Sequence, residues 1–433
     1  MQPPPSIAPD ARHQTVTIAF LFAAYLASFG IFIPFFPVWL DSVGMNPSWI
    51  AVLVAVPLIM RVFTTSFVAD RAEGFDDPRL PLLWLSVAAT SCFAFLPLST
   101  VFTVSEHLVH NMWAVLVVVA VMAISWNALL PLCDALAIQH VRRTGASYGK
   151  VRSWGSAAFI LASFVAGVAV EVYTPVVIPW LILVTLASLI LASAVLPRSF
   201  AGRAYRGSPP RTAGAGDGAD GALDAQEGDR PKLVGGLRFL MSRKGALSVF
   251  VGAGLMQASH AVLYGFASLS WGAQGFSDTA IGFLWSFGVA CEIALFWVSK
   301  PLIDRIGARG LLILGGIGGT VRWVALAMMP DLGVTALLQI LHAFSFGMTH
   351  LATIEYAARR AGPRELRAAQ GVYGVVSGAL MAVATLASGP LYEALGAGAY
   401  IAMGALTTLG AIIIVVDRVS VPGGQHERDE QMG

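Results

Sequence analysis

The amino-acid sequence predicts an all-α integral membrane protein with twelve transmembrane helices in two six-helix repeats. Of its 433 residues, 56% are hydrophobic and only 12% are charged, whereas soluble domains carry about 25% charged residues. Its apolar runs reach about 20 residues, the length that an α-helix needs to cross a bilayer. They are too long and too uniformly apolar for the alternating strands of a membrane β-barrel.

Twelve apolar runs divide the chain into two halves. The first six cover roughly residues 16–40, 48–69, 80–98, 111–139, 149–172 and 175–197. The second six cover roughly residues 245–269, 277–300, 309–329, 333–356, 367–390 and 396–416. We therefore predict one bundle over residues 1–197, a second over 245–418 and a cytoplasmic tail over 419–433. Residues 198–244 are rich in Gly, Ala and Asp without a sustained apolar face, which predicts a flexible cytoplasmic linker.

Lysine and arginine residues mark one side of the predicted membrane. Of the 27 basic residues, all but Arg61, Arg152 and Arg322 fall at the termini, in the linker or in the loops of that side. The loops of the other side contain none. Because basic residues remain on the cytoplasmic side of a membrane, we expect both termini in the cytoplasm, with the chain in the bacterial inner membrane.

Two loops carry the same dipeptide, Asp70-Arg71 after the second span and Asp304-Arg305 after the eighth. They occupy equivalent positions in the two halves, although Asp-Arg is a common loop dipeptide. Two parallel six-span repeats are typical of transporters that rock one half against the other around a midplane site. We expect these four residues in gating loops.

Charged residues inside the spans come in mirrored positions. Asp134 and Arg152 are equally distant from the turn between spans 4 and 5, and Glu292 and Arg322 are equally distant from Gly307 in the turn between spans 8 and 9. A charge at the bilayer centre costs about 2.5–3.5 kcal/mol on insertion scales, so such residues face a bundle interior and pair. We expect each pair to meet, either as a functional pair or as one that fixes packing. Arg61 has no acid in a mirrored position.

Other polar residues repeat at helical spacing and share a face. These residues are Asn127 and Asp134 in span 4, Gln257, His260 and Tyr264 in span 7, His342 and Ser345 in span 10, and Tyr373 in span 11. Each one alone is as readily a packing residue. Together they indicate a polar cavity with aromatic walls.

Several segments carry a family resemblance over essentially the whole chain. Span 1 reads GIFIPFFPVWL, the stretch from Asp134 to Gly155 contains an acid followed by YGKVRSWG, and the 8–9 loop reads KPLIDRIGARG. The chain resembles the major facilitator superfamily, and within it the proton-coupled lactose-permease-like group. The stretches VACEIALFW and LHAFSFGMTHLA resemble the phenylpropionate permease branch in particular.

The resemblance implies roles for matching residues. Asp134 and Arg152 match the acid and arginine of the substrate site, while Glu292, Arg322 and His342 match the proton-coupling network. Three residues after this histidine the lactose-permease pattern has a glutamate, but here the residue is Ser345. Our hypothesis is therefore that Glu292, or Asp134, takes the proton.

The expected function is proton-coupled symport of an aromatic monocarboxylate such as a phenylpropionate. Arginines suit a carboxylate and aromatic side chains suit a ring, so the expected substrate-binding residues are Asp134, Arg152, Trp154, Asn127, His260, Tyr264 and Tyr373. A sugar or nucleoside symporter stays open, as does an efflux antiporter, although span 5 lacks the internal proline of drug antiporters. A membrane enzyme is disfavoured because no P-loop, HExxH or GxSxG motif occurs. We expect a monomer in the lipid bilayer, with no cofactor, metal or nucleic-acid partner.

Overall fold

The computed structural model of the protein describes residues 9–72, 75, 77–99, 111–197 and 233–417. All regular elements in these residues are helices. The first seven are α1 Pro9–Ser42, α2 Pro47–Ala72, α3 Arg79–Phe93, α4 Phe95–Ser99, α5 Met112–Thr144, α6 Tyr148–Tyr173 and α7 Val177–Ala194. The other nine are α8 Leu233–Ser242, α9 Ala246–Ala258, α10 Ala261–Ala273, α11 Asp278–Trp297, α12 Ser299–Ala327, α13 Leu332–His342, α14 Thr349–Arg360, α15 Pro363–Leu395 and α16 Ala399–Val416.

All twelve apolar runs lie on these helices, which confirms the predicted all-α class. Ten helical stretches are long and apolar enough to cross a membrane. One of them, Ala368–Val416, includes most of α15 and all of α16, and a shorter apolar helix covers Pro47–Val62 of α2. The protein is therefore a multi-pass membrane protein.

The chain forms two compact units. The first comprises residues 1–45 and 59–223, and the second comprises residues 46–58 and 224–433. In the first unit α1 packs against α6 and α7, and α3 packs against α5 and α7. Helices α1 and α6 come very close at Gly30, where a Cβ atom would lie 2.6 Å from the Phe159 carbonyl oxygen. The hydroxyl of Ser163 donates to the Gly30 carbonyl at 2.7 Å.

The second unit has its core where α9 packs against α15 and α16 and α12 packs against α16. Glycines allow this close packing: a Cβ atom on Gly252 of α9 would lie 2.6 Å from the carbonyl oxygen of Gly410 on α16. Residues 46–58 belong to this unit through contacts such as the hydrogen bond from Ser48 to Glu393, 2.8 Å long. The predicted limits of the two bundles stay predictions.

The predicted linker contains a helix that we did not expect. Residues 198–232 lie outside the described part, but α8 occupies Leu233–Ser242. It packs against α15, buries Phe239 against Phe250 with ring centroids 5.9 Å apart, and is followed by an Arg243–Glu365 ion pair of 3.0 Å. The prediction of a flexible chain up to residue 244 was therefore wrong. The apolar residues of this short segment form a helical face, but the polar linker before them hides this pattern when the whole of 198–244 is considered together.

Three interruptions shape the helices of the second unit. The span-7 helix breaks at Ser259 and His260, between α9 and α10. Residues Ala343–Met348 between α13 and α14 form a π-helical turn, a feature often found at functional sites. Gly307 has φ 71° and ψ 165°, so α12 is two helices joined at this residue, as the predicted turn there requires.

We predict that Gly252→Ala destabilises the protein by about 1–3 kcal/mol because the added methyl group overpacks the α9–α16 contact. Its unfolding midpoint in detergent should therefore fall. Gly371→Ala is the matched control, since nothing lies within 4 Å of a Cβ atom at that helical glycine. Alanine there should be neutral or stabilise by up to about 1 kcal/mol. Equal unfolding midpoints for the two variants would contradict the close packing.

Candidate functional site

Each compact unit contains a cluster of polar residues within its apolar helices. The first-unit cluster consists of Asp134, Tyr148 and Arg152, with Phe22 packed against the last two. The second-unit cluster consists of His260, Glu292, Arg322, His342 and Ser345. The two are described separately below.

Asp134 on α5 is bound by a tyrosine. The hydroxyl of Tyr148, the first residue of α6, donates to Oδ1 of Asp134 at 2.8 Å. The guanidinium of Arg152 lies over the Phe22 ring, 5.3 Å from its centroid. The direct Asp134–Arg152 ion pair that we expected is therefore not formed in the described structure. Mirrored positions set equal depth, but Tyr148 is the residue that reaches the carboxylate.

Tyr25 on α1 lies in the aromatic core of the first unit. The residue is 2% exposed, and its ring packs against Trp126, with centroids 5.9 Å apart. Arg61, for which the sequence offered no mirrored acid, is exposed on α2.

Two other predicted residues of the first unit differ in exposure. Asn127 is buried on α5, whereas Trp154 on α6 is 63% exposed. Tyr148 was missed as a site residue. The signal for Tyr148 was present, because it begins the YGKVRSWG motif, but its acid partner could not be deduced from the motif alone.

His342 lies between the acid and the arginine of the second-unit cluster. Its Nδ1 atom is 3.2 Å from Nη1 of Arg322, and its Nε2 atom is 3.8 Å from Oε2 of Glu292. An arginine can only donate hydrogen bonds, so Nδ1 accepts and the neutral ring carries its proton on Nε2. The predicted Glu292–Arg322 pair is thus bridged by a histidine whose N–H faces the carboxylate.

His260 has the opposite tautomer. Its Nδ1 atom lies 3.0 Å from the carbonyl oxygen of Gln257, which can only accept, so Nδ1 carries the proton. Nε2 then accepts from the Ser345 hydroxyl at 3.2 Å, and the same hydroxyl accepts from Nη1 of Arg322 at 3.4 Å. Ser345 therefore joins Arg322 to His260.

The helix interruptions create this network. His260 sits in the break between α9 and α10, and Ser345 lies in the π-helical turn. The side chain of Gln257 donates to the carbonyl oxygen of Phe346 in that turn at 3.1 Å. This hydrogen bond gives a backbone carbonyl a donor at the place where the hydrogen-bond pattern of the helix changes.

Arg322 is completely buried, with 0% exposure. Its Nη2 atom donates to Oε1 of Gln339 at 2.9 Å, and its guanidinium lies over the Trp323 ring, 4.6 Å from the centroid. Within the described residues its Nε atom has no hydrogen-bond partner. A buried guanidinium needs such polar and aromatic contacts to offset its desolvation. Gln339 was missed, although it lies three residues before His342 on the same helical face.

The two predicted tyrosines of the second unit lie in different surroundings. The Tyr264 ring stacks near His260, with centroids 5.9 Å apart, and near Trp285 at 6.2 Å. Tyr373 is buried in the hydrophobic core beside Phe250, with centroids 5.3 Å apart. Tyr264 thus adjoins the second-unit cluster, and Tyr373 is a core residue.

The predicted gating residues are only partly described. Asp304 and Arg305 are exposed just before Gly307. The helix backbone continues to Ala72, but the side chains of Asp70 and Arg71 lie outside the described part. Among the described residues, no group of three or more His, Cys, Asp or Glu residues is placed to hold a metal ion.

The chain is similar to one family of proteins over nearly its whole length. The model of the MFS_1 like family matches residues 15–402. The chain is 32% identical over 398 residues to the "Probable 3-phenylpropionic acid transporter" of Escherichia coli (strain K12), covering 92% of this chain and 96% of that protein. It is 25% identical over 409 residues to the maltose permease of Geobacillus stearothermophilus, covering 94% and 95%. These similarities confirm the resemblance predicted from the sequence.

A solved structure shares the fold. The crystal structure of the nucleoside transporter NupG matches with a TM-score of 0.73, covering 93% of this chain and 98% of that chain. Its sequence identity is 13%, so the match shows the fold alone.

We predict that Ser345→Ala lowers the stability by about 1–3 kcal/mol, because it leaves Nε2 of His260 without its donor and Nη1 of Arg322 without one acceptor in a buried site. The unfolding midpoint in detergent measures the loss. Ser299→Ala is the matched control, since that hydroxyl bonds to the Phe296 carbonyl at an exposed position. An unchanged midpoint for Ser345→Ala would show that the hydroxyl does not connect the two groups.

Proposed function

We propose that this chain, which belongs to the MFS_1 like family of the major facilitator superfamily, imports an aromatic monocarboxylate together with a proton. The family and the fold are those of transporters. The observation that carries the substrate class is the 32% identity to a probable 3-phenylpropionic acid transporter over 92% of this chain. Alternating access of the two halves around a substrate site would move the solute.

The first-unit cluster supports a carboxylate substrate. Arg152 can form a charge-assisted hydrogen bond with a carboxylate, and Asp134 is held by Tyr148 instead of neutralising Arg152 through direct contact. In the proposal Asn127 and Trp154 also contact the substrate from the first unit. Tyr264 and His260, which lie in the second unit, stay sequence-based predictions as substrate-binding residues, and His260 is completely buried.

The second-unit cluster supports proton coupling through Glu292. The Nε2–H of His342 faces the Glu292 carboxylate, and Arg322 holds that tautomer in place. Protonation of Glu292 would remove its attraction to this donor and to the positive charge behind it. Glu292, on α11, would then be released from α12 and α13. This is the bistable contact that a coupled transporter needs, and Asp134 remains the second candidate for the proton.

The remaining features of the proposal are expectations from the sequence. The distribution of basic residues supports cytoplasmic termini by the positive-inside rule, with the protein in the bacterial inner membrane. It would work as a monomer, driven by the proton gradient and without a cofactor. Asp70, Arg71, Asp304 and Arg305 would act in the cytoplasmic gating loops.

A sugar or nucleoside symporter is the second candidate. The 25% identity to a maltose permease favours it, and polar residues such as Asn127 could bind hydroxyl groups. An efflux antiporter of the same fold is the third candidate. A strain that lacks the protein should resist a toxic aromatic acid if the protein imports it, and should become hypersensitive if the protein exports it.

We predict that reconstituted vesicles accumulate 3-phenylpropionate when the outside is acidic, since inward proton flow would drive uptake. Labelled substrate inside the vesicles measures it. Protein-free vesicles are the essential control, because the uncharged acid crosses lipid on its own. Failure to accumulate 3-phenylpropionate above this control would exclude the aromatic-acid reading. Gradient-driven uptake of maltose or a nucleoside instead would favour the second candidate.

We predict that Glu292→Gln abolishes uphill accumulation but retains exchange of internal for external substrate, because an amide cannot bind and release the proton while exchange needs no net proton movement. Glu355→Gln is the matched control. That carboxylate pairs with Arg359 one turn further along α14 at 2.6 Å, and its loss should leave accumulation intact. Normal accumulation by Glu292→Gln would exclude Glu292 as the proton carrier.

A further inference from the structure

One face of α1 carries a row of apolar side chains that begins beneath Arg152. Phe22, Leu26 and Phe29 follow each other at i, i+4 and i+7, the spacing that places side chains on one helix face. At one end of the row the guanidinium of Arg152, on α6, lies over the Phe22 ring. At the other end the Phe29 ring stacks on Trp126 of α5, with centroids 4.2 Å apart. The row therefore faces α5 and α6.

Leu26, in the middle of the row, lies beside the arginine. A Cβ atom on Gly155 of α6 would be 2.6 Å from Cδ1 of Leu26 and 3.2 Å from Nη1 of Arg152, so these two side chains meet above the glycine. Arg152, Leu26 and Phe29 are each partly exposed. These three residues form a strip, which we call the α1 strip, with a cation at one end and an aromatic ring at the other.

The length of the α1 strip matches an arylpropionate. Phe22, beneath the guanidinium, and Phe29 are seven residues apart, which corresponds to about 10.5 Å along a helix. In an extended 3-phenylpropionate bound to a guanidinium, the ring centre would lie about 9 Å from the guanidinium carbon, given carbon–carbon bonds of about 1.5 Å and a charge-assisted hydrogen bond of about 2.8 Å. Its ring would therefore reach the Phe29 ring. Benzoate, which lacks the two methylene groups, would end over Leu26.

We propose that Phe29 binds the aromatic ring of the substrate whose carboxylate is bound by Arg152. The inference rests on the proposed function and adds a specificity-determining residue to it. Trp126 supports the Phe29 ring from behind. Its indole is 1% exposed and its Nε1–H donates to the Ser28 hydroxyl at 3.0 Å, so the ring on which Phe29 stacks is itself fixed.

The α1 strip should distinguish an aromatic ring from an aliphatic ring of similar size. Aromatic pairs stabilise each other beyond the burial of their surface, by an amount that corresponds to about 2- to 10-fold in affinity. If Phe29 only packs on Trp126, both kinds of ring would bind according to their buried area.

The test compares 3-phenylpropionate with 3-cyclohexylpropionate, an acid of equal charge and chain length, by titration calorimetry with the full-length protein in detergent. Wild type should bind the phenyl acid about 2- to 10-fold more tightly. Phe29→Leu should lose this preference by weakening binding of the phenyl acid, whereas Phe29→Tyr should retain it because the aromatic ring remains. Binding of the cyclohexyl acid by Phe29→Leu also reports that the variant is folded.

Phe20→Leu is the matched control. Phe20 is an exposed residue of α1, and two residues before Phe22 it points to nearly the opposite side of the helix, so this variant should bind both acids like wild type. If wild type binds both acids without preferring the phenyl acid, or if Phe29→Leu keeps the wild-type ratio of the two affinities, the role of Phe29 is overturned and the proposed function stands. If wild type binds neither acid, the proposed function falls and the inference falls with it.

Discussion

The cost of placing a charge in an apolar membrane determines most of what this structure can do. A charged side chain at the bilayer centre is tolerated only where it faces protein or water and has polar partners. All but three of the basic residues avoid this cost by lying outside the predicted spans or at their ends. Two of those three, Arg152 and Arg322, lie in polar clusters, and the groups around Arg322 are the ones that give the second-unit cluster its chemistry.

The two units meet this requirement in different ways. In the second unit, Arg322 is sealed from solvent and is satisfied by His342, Ser345, Gln339 and the face of Trp323. In the first unit, Arg61 and Arg152 retain exposure and the acid is engaged by Tyr148. A sealed guanidinium can fix the tautomer of a neighbouring histidine, whereas an accessible one can bind an anion.

The sequence was sufficient to predict the helices but not the side-chain contacts between them. Runs of about 20 apolar residues leave the backbone no alternative to helix in lipid, so the apolar helices could be located from the sequence. Equal distance from a turn predicted direct pairs of Asp134 with Arg152 and of Glu292 with Arg322. It could not reveal rotation about the helix axes, which allows Tyr148 to reach Asp134 and inserts His342 between Glu292 and Arg322.

Local irregularities of the helices were the second feature that could not be predicted from the sequence. No propensity rule predicts the break at His260 or the π-helical turn that contains Ser345, because both depend on hydrogen bonds between helices. Without these two irregularities His260 would remain one polar residue on a regular face. The helix α8 was not predicted for a different reason. Its ten residues follow a long polar segment, and only the packing against α15 shows that they have an apolar face.

Charge balance connects the proposed substrate with the proposed proton. A monoanionic substrate would add one negative charge to the protein, and a proton on Glu292 would add one positive charge. With one proton per monoanion, the summed charge would therefore be the same for the empty and the loaded protein. Because a charge inside the apolar membrane is costly, the loaded protein would then cross no greater electrostatic barrier than the empty one, whereas either ligand alone would change that sum.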